Sequence, residues 1–287
     1  MSGSPGSPGS AGSAGSGWAG GAFGARGRCV LAPNADTMTL DGTNTWVLRE
    51  PGARRSVVVD PGPSMLAHLD AVASVAQVDG GPGEVAVVLL THHHLDHSEA
   101  AREFAERVGC GVRALDPALR LGAEGLADGD VVEVDGLEVR VVATPGHTAD
   151  SLSFWLPAED AVLTGDTVLG RGTTVVAHPD GQLGAYLDSL DRLHAVASEH
   201  GITQVWPGHG PVLDDALGVL EHYRAHRHQR LAQVRAALAD LGRTAGDVRA
   251  DDGLPRQVVE TVYADVDPVL WGAAELSVRA QLAYLAG

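Results

Sequence analysis

One short segment of the chain, Thr91-His92-His93-His94-Leu95-Asp96-His97, concentrates imidazole and carboxylate side chains. Neutral imidazole nitrogens and carboxylate oxygens are common ligands of borderline cations such as Zn²⁺, and iron and manganese accept them too. Alternate side chains of an extended segment point in opposite directions, so His93 is expected to turn away from the side that His92 and His94 share. The segment therefore predicts a metal site.

The histidine segment stands at the end of a predicted buried strand, residues 84–94, whose continuous apolar run suits a sheet covered on both faces. Further strands alternate with helices, which indicates a layered α/β architecture. The other strands are predicted at 44–50, 56–62, 130–147 (two strands), 151–157, 161–166 and 203–210, and the helices at 64–77, 98–108, 181–199 and 212–241. The candidate ligands thus fall at strand ends and in loops, where rigid scaffolds present reactive groups.

The two ends of the chain differ in composition from its middle. Residues 1–27 are rich in Gly, Ser, Ala and Pro, which predicts a disordered leader. Beyond about residue 230 the pattern predicts three short helices, at 229–241, 254–265 and 270–285. We therefore expect a catalytic domain over residues 28–228 and a small helical domain over residues 229–287.

The net charge of −17 at pH 7 disfavours indiscriminate binding to nucleic acid, because the chain repels polyanions. The two cysteines, Cys29 and Cys110, form no CxxC pair, so neither a disulfide network nor a thiolate metal site is expected. The sequence shows no apolar run long enough to span a membrane and no secretory signal pattern. A cytoplasmic location is therefore predicted.

The segment from His92 to His97 contains the pattern HxHxDH, and with the later motifs it resembles the metallo-β-lactamase superfamily over nearly all of residues 30–287. The resemblance implies an α/β fold, the four-layer αββα sandwich, with a small C-terminal helical domain that is winged-helix-like. It also implies a ligand set for two metal ions. His92, His94 and His147 resemble the ligands of the first ion; Asp96, His97 and His209 resemble those of the second; Asp166, in LTGD, resembles the bridging carboxylate; and Asp60, in VVVDPG, resembles an aspartate that supports the ligands.

This ligand set implies two Zn²⁺ per chain, with iron or manganese as alternatives. Two cations about 3.5–4 Å apart share a water molecule, lower its pKa and polarise the oxygen of the bond that is cut. A hydroxide shared by the two ions is then the expected nucleophile. Asp96 is the expected catalytic residue, because it could both ligate a metal ion and orient that hydroxide.

The segment DTVLGRGTTVV (166–176) and the tail sequence resemble one branch of the superfamily, that of β-lactamase-like protein 2. This branch implies two activities, thioester hydrolysis and RNA cleavage, and we favour hydrolysis of a small-molecule ester or thioester, as in acyl-carrier thioesterases and glyoxalase II-like enzymes. A single-strand-specific endoribonuclease is the alternative; its RNA partner would need a basic track. A non-catalytic nucleic-acid or protein-binding module is a third alternative, which the intact ligand set disfavours. The residues available for a basic track are Arg224, Arg227, Arg230 and Arg235.

Several further side chains lie outside these motifs. His178, in the loop after LTGD, and Arg227 are predicted to contact substrate, although a solvated loop histidine suits the position of His178 equally well. His222 and His226 stand at i and i+4 and could hold a metal ion, but a charged helix face is the favoured interpretation. The oligomeric state stays open. Histidines expected at the surface are His68, His194 and His200.

Overall fold

The computed structural model describes residues 17–77 and 84–287, which form two β-sheets with helices on their outer faces. The first sheet follows chain order. Its strands are β1 (Gly21–Phe23), β2 (Gly27–Leu31), β3 (Asn44–Leu48), β4 (Arg55–Val59), β5 (Glu84–Leu89) and β6 (Gly111–Arg113). The pairs from β1 to β4 are antiparallel, whereas β4, β5 and β6 are parallel.

The second sheet is mostly antiparallel. Its strands are β7 (Val131–Val134), β8 (Leu137–Ala143), β9 (Leu152–Leu156), β10 (Ala161–Gly165) and β11 (Gln204–Pro207). They are arranged in the order β11-β10-β9-β8-β7, and β10 and β11 form the parallel pair. The turn between β7 and β8 is made by Asp135 and Gly136, both at positive φ, as a two-residue hairpin turn requires.

Helices complete the layers on either side of the paired sheets. In the described parts of the chain they are α1 (Leu66–Val75), α2 (Leu95–Ser98), α3 (Ala101–Val108), α4 (Leu183–His200), α5 (Ala216–Asp240), α6 (Leu254–Val262) and α7 (Trp271–Ala286). None of these helices is both long and apolar enough to cross a lipid bilayer. Helices α1 and α3 pack on the first sheet and α4 and α5 on the second, which confirms the predicted αββα sandwich.

The side chains of β4 show how these layers are held together. Val57 and Val59 lie in the core between the two sheets, which also contains Phe154 of β9. Val58 lies in a separate core with Leu69 of α1. Successive side chains of a strand point to opposite faces, so an uninterrupted apolar strand is stable only where both faces are covered.

Helix α5 crosses the domain boundary that the sequence predicts between residues 228 and 229. The predicted helix 229–241 is not a separate element but the C-terminal half of α5, which continues because no Gly or Pro interrupts residues 219–240. Leu220 packs in the core of the second sheet, whereas Leu238 packs in a fourth core with α6 and α7. One continuous helix therefore connects the sandwich to the C-terminal helices.

The predicted leader, residues 1–27, extends too far at its C-terminal end. Residues 1–16 lie outside the described residues, but Gly21–Phe23 form β1. The ring centroids of Trp18 and Phe23 are 5.4 Å apart, and those of Phe23 and Trp46 are 5.5 Å apart. Two aromatic side chains supply the apolar contact that orders this Gly-rich stretch.

The core between the sheets gives a test of the fold. Leu156 is 0% exposed there, whereas Leu66 at the start of α1 is 67% exposed. Leu156→Ala should lower the free energy of unfolding by about 2–5 kcal/mol, because it leaves a cavity in a close-packed interior. Leu66→Ala, the matched control, should change it by less than about 0.5 kcal/mol. Urea denaturation measures both values, and equal effects of the two substitutions would contradict the described burial.

Candidate metal centre

The candidate ligands collect at one edge of the two packed sheets. Asp60 follows β4, His92 and its neighbours follow β5, and Asp166 and His209 follow β10 and β11. The predicted strand 84–94 is shorter in the structure: β5 ends at Leu89, and the motif occupies a loop and the short helix α2. The histidines are therefore released from the sheet and can face a common centre.

His92, His94 and His147 form the first group of ligands. The Nδ1 atom of His94 lies 3.1 Å from His92 Nε2 and 3.1 Å from His147 Nε2. Tetrahedral coordination at the usual Zn–N distance places neighbouring donor atoms about 3.3 Å apart. The spacing of these three imidazoles therefore suits three corners of a tetrahedral site.

Asp96, His97 and His209 form the second group. His209 Nε2 lies 3.2 Å from His97 Nε2 and 3.1 Å from the Asp96 carboxylate, and His97 Nε2 lies 3.4 Å from the same carboxylate oxygen. Asp96 enters the group because α2 begins immediately before it. The helix end also favours a carboxylate in its first turn.

Asp166 lies between the two groups. Its carboxylate oxygens are 3.4 Å from His97 Nε2, 3.3 Å from His209 Nε2 and 3.8 Å from His147 Nε2. Its Oδ1 is buried without a hydrogen-bond partner in the described parts of the chain. A buried carboxylate oxygen among imidazole nitrogens is stabilised by a positive ligand, so the residues present fit a divalent cation at this position.

The imidazoles are oriented by hydrogen bonds from their other ring nitrogens. His97 Nδ1 lies 2.8 Å from the Asp60 carboxylate, and His147 Nδ1 lies 2.8 Å from the carbonyl oxygen of Val175. His209 Nδ1 lies 3.1 Å from the carbonyl oxygen of Gly42. Such partners fix the ring so that the free nitrogen points to the metal.

Burial and neighbouring carboxylates shift the pKa values of the histidines in the two halves of the site in opposite directions. Burial lowers the pKa of His92 well below its ordinary value and that of His94 to about 4. Burial acts the same way on His97 and His209, but nearby carboxylates, Asp166 foremost, raise the pKa of His97 well above its ordinary value and that of His209 to about 9. The carboxylates in the half of the site that contains Asp96 therefore favour positive charge beside them, and a divalent cation would provide such charge.

Gly208 is required by the closeness of the ligands. A Cβ atom at this position would lie 2.6 Å from Asp166 Oδ1 and 2.8 Å from His97 Cε1. No side chain fits there without displacing one of these two residues. The glycine in the sequence PGHG is thus part of the geometry of the metal centre.

A cavity of about 360 Å³ opens beside the metal centre and is bordered by His147 and Asp166. Sequence reasoning missed most of its wall, because the wall combines residues that lie far apart in the chain. The apolar members come from the N-terminal loop, from the loop after Asp166 and from the C-terminal helices. They include Met38, Leu40, Leu169, Val175, Tyr263, Val266, Leu270, Ala273 and Ala274.

Arg227, predicted to contact substrate, borders the cavity and is 7% exposed. Its guanidinium donates a hydrogen bond to the carbonyl oxygen of Thr174 and stacks 4.8 Å from the ring centroid of Tyr186. His178, predicted to do the same, is exposed and is not among the cavity residues described. The backbone N–H of His178 donates to the carbonyl oxygen of Leu276, which holds its loop against α7.

The structure also describes the surroundings of histidines that are not candidate ligands. His93 lies 2.8 Å from the Asp150 carboxylate and belongs to none of the candidate ligand groups in the described residues, and its lack of a ligand role stays a prediction. The surface position predicted for His68 is wrong: it is buried, and its Nε2 lies 2.8 Å from Thr45 Oγ1. His222 and His226 form no candidate metal group in the described residues.

Residues 38–199 match the family model of the metallo-β-lactamase superfamily, and residues 255–286 match that of the β-lactamase-associated winged helix domain. The chain therefore belongs to the metallo-β-lactamase superfamily. In residues 241–287, all of which the structure describes, the secondary structure consists of helices and turns. The winged-helix relation of this part thus rests on the sequence match.

Several named proteins are similar in sequence to this chain over most of its length. The chain is 33% identical to the lactamase-like protein aptB of Emericella nidulans, over 86% of this chain and 80% of that one. It is 33% identical to an atrochrysone carboxyl ACP thioesterase of Aspergillus fumigatus, over 82% and 72%. It is 32% identical to a β-lactamase-like protein 2 homolog of Caenorhabditis elegans, over 74% and 70%. The crystal structure of a β-lactamase domain protein from Burkholderia ambifaria shares the fold, with a TM-score of 0.74, 24% identity and coverage of 93% and 88%.

Two neighbouring histidines give a matched test of the ligand geometry. His94→Ala should lower the affinity for Zn²⁺ by at least about tenfold, because it removes one of three donors in the first group. His93→Ala should leave the affinity unchanged, since His93 contacts Asp150 instead. Competition with a chromophoric chelator measures both affinities. An equal loss in the two variants would contradict the assignment.

Gly208→Ala tests the steric requirement. The added methyl group should displace Asp166 or His97 and lower the affinity for Zn²⁺ by about tenfold or more. Gly272→Ala is the control, because a Cβ atom there meets nothing within 4 Å. The measurement is the same chelator competition, together with the thermal unfolding midpoint. Unchanged affinity in Gly208→Ala would show that the site tolerates a wider arrangement.

Proposed function

We propose that this chain is a metal-dependent hydrolase of small-molecule thioesters or esters. The observation that carries the proposal is the shared border of the cavity: His147 and Asp166 of the metal centre line it together with apolar residues of the C-terminal helices. A partly apolar cavity beside a cluster of metal ligands can hold an acyl group while its carbonyl reaches the reactive centre.

We assign the seven candidate ligands to two divalent cations, with Zn²⁺ as the first choice and iron or manganese as alternatives. His92, His94 and His147 would hold one cation. Asp96, His97 and His209 would hold the other, and Asp166 would contact both. When bound, such a pair of cations activates water and polarises the carbonyl that is attacked.

The residues of this chain contribute position and charge. Asp60 orients His97 through its hydrogen bond to Nδ1. The Asp96 side chain is 28% exposed, compared with 12% for Asp166, so Asp96 is the carboxylate that incoming water can reach. We propose that Asp96 orients the attacking water. The apolar wall of the cavity excludes bulk water from the acyl group.

The relatives support the choice of bond. One of them is named an ACP thioesterase, and it matches 82% of this chain at 33% identity. We carry only the thioester class over to this chain. A thioester carbonyl is a suitable electrophile for activated water, and its thiolate is a good leaving group that needs little assistance from an acid.

The endoribonuclease alternative lacks the basic track that it would need. Of the four arginines that could form this track, Arg227 is 7% exposed and Arg224 lies 2.5 Å from the Asp191 carboxylate, so the four do not form a continuous row of exposed, unpaired guanidinium groups. With the net charge of −17, the surface is poorly suited to a polyanion. The binding-module alternative leaves the convergence of seven ligands without a role.

The proposed function is tested on the purified chain with added Zn²⁺, assayed against acyl-N-acetylcysteamine thioesters and single-stranded RNA. Thioester turnover without RNA cleavage is expected. Asp96→Ala should lower kcat/KM by about 10²-fold or more, because it removes the group that orients the water. Asp188→Ala, on the exposed face of α4, is the control and should retain full activity. RNA cleavage without thioester turnover would reverse the proposal.

A further inference from the structure

The cavity beside the metal centre has an unusual charge for this protein. The whole chain has a net charge of −17. The cavity, in contrast, is bordered by Arg171, Arg227 and Arg230, and the one acidic residue among its described lining is Asp166, which belongs to the metal centre. Positively charged side chains are therefore concentrated in the cavity where we propose that the substrate binds.

Two of these arginines have no carboxylate partner in the described parts of the chain. Arg171 is paired with Asp41, but neither Arg227 nor Arg230 forms an ion pair there. Arg227 is 7% exposed, and its Nε is buried without a hydrogen-bond partner. A buried guanidinium without a counter-charge is unfavourable in the free protein and favours binding of an anion.

Arg230 stands one helical turn from Arg227 on α5, beside the apolar part of the wall. Its guanidinium lies 4.7 Å from the ring centroid of Tyr263, and its Nη1 donates to the carbonyl oxygen of Val262 (3.3 Å). Val266 and Leu270 line the cavity in the same region. A ligand that extends from the metal centre to Arg230 within this cavity can therefore contact apolar side chains.

We propose that the cavity binds acyl groups that end in a carboxylate, with Arg227 and Arg230 as specificity-determining residues. The substrate would be a thioester of a dicarboxylic acid, with its apolar chain along the C-terminal helices, its free carboxylate at the two arginines and its thioester carbonyl at the metal centre. This inference rests on the proposed function and adds the substrate class. The apolar side chains of the cavity wall suit the methylene groups of such an acyl chain better than they suit the amide-rich arm of a thiol cofactor.

The test compares two isosteric substrates. Dicarboxylic acid mono-thioesters of N-acetylcysteamine, in a series of chain lengths, are assayed beside the analogues in which a primary amide replaces the carboxylate. At the best chain length the carboxylate should raise kcat/KM by at least about tenfold, the effect of one charge-assisted hydrogen bond. Arg230→Met should reduce this ratio to near one, and Arg230→Lys should restore part of it. Arg235→Met removes the same charge from an exposed position of α5 and should leave the ratio unchanged.

A second measurement is independent of turnover. The free dicarboxylic acid should raise the thermal unfolding midpoint of the Zn²⁺-loaded wild type more than its monoamide does, and Arg230→Met should remove the difference. A ratio near one in the wild type, with both thioesters hydrolysed, would overturn this inference and leave the proposed function intact. Failure to hydrolyse either thioester would overturn the proposed function. A third outcome concerns the thiol part of the substrate. If the wild type prefers coenzyme A thioesters to N-acetylcysteamine thioesters, Arg230→Met loses this preference and the acyl carboxylate has no effect, then the arginines bind an anionic group of the thiol. That result would overturn the inference.

Discussion

The Asp60 carboxylate connects the two strands that support the metal centre. It accepts hydrogen bonds from the backbone N–H of Thr91 (2.8 Å) and from its hydroxyl (2.6 Å), and it also contacts His97 Nδ1. Asp60 itself is held at a φ of 50°, a conformation that non-glycine residues rarely adopt. Backbone strain of this kind persists only where surrounding bonds enforce it. This buried side chain, together with the pairing of β4 and β5, thus fixes the position of the histidine segment relative to β4.

The centre also depends on the packing of the two sheets. The first sheet supplies the histidine segment, and the second supplies Asp166 and His209 from the parallel strands β10 and β11. The ring of Trp46 in the first sheet stacks on that of Trp206 in the second, with centroids 4.7 Å apart. This contact fixes the sheets next to the loop that carries His209. The distances among the ligands are therefore a property of the whole sandwich.

The sequence was most informative where residue type alone determines chemistry. The HxHxDH pattern and the later motifs led to the family and to the seven candidate ligands, and the apolar runs of β4 and β5 led to a sheet covered on both faces. The first and last residues of helices and strands were less predictable, and so was the burial of single side chains. Trp18 and Phe23 order a stretch that its composition marks as disordered, and Thr45 holds His68 in the interior. Such contacts join residues whose pairing no local pattern reveals, and the cavity wall is hidden for the same reason.

Helix α5 has a consequence for how such a protein can diversify. It carries Leu220 in the sandwich core, Arg227 and Arg230 at the cavity, and Leu238 in the core of the C-terminal helices. None of the seven candidate ligands lies on α5, α6 or α7. Mutations in the tail can therefore change the size and charge of the cavity while all seven candidate ligands keep their positions in the sandwich.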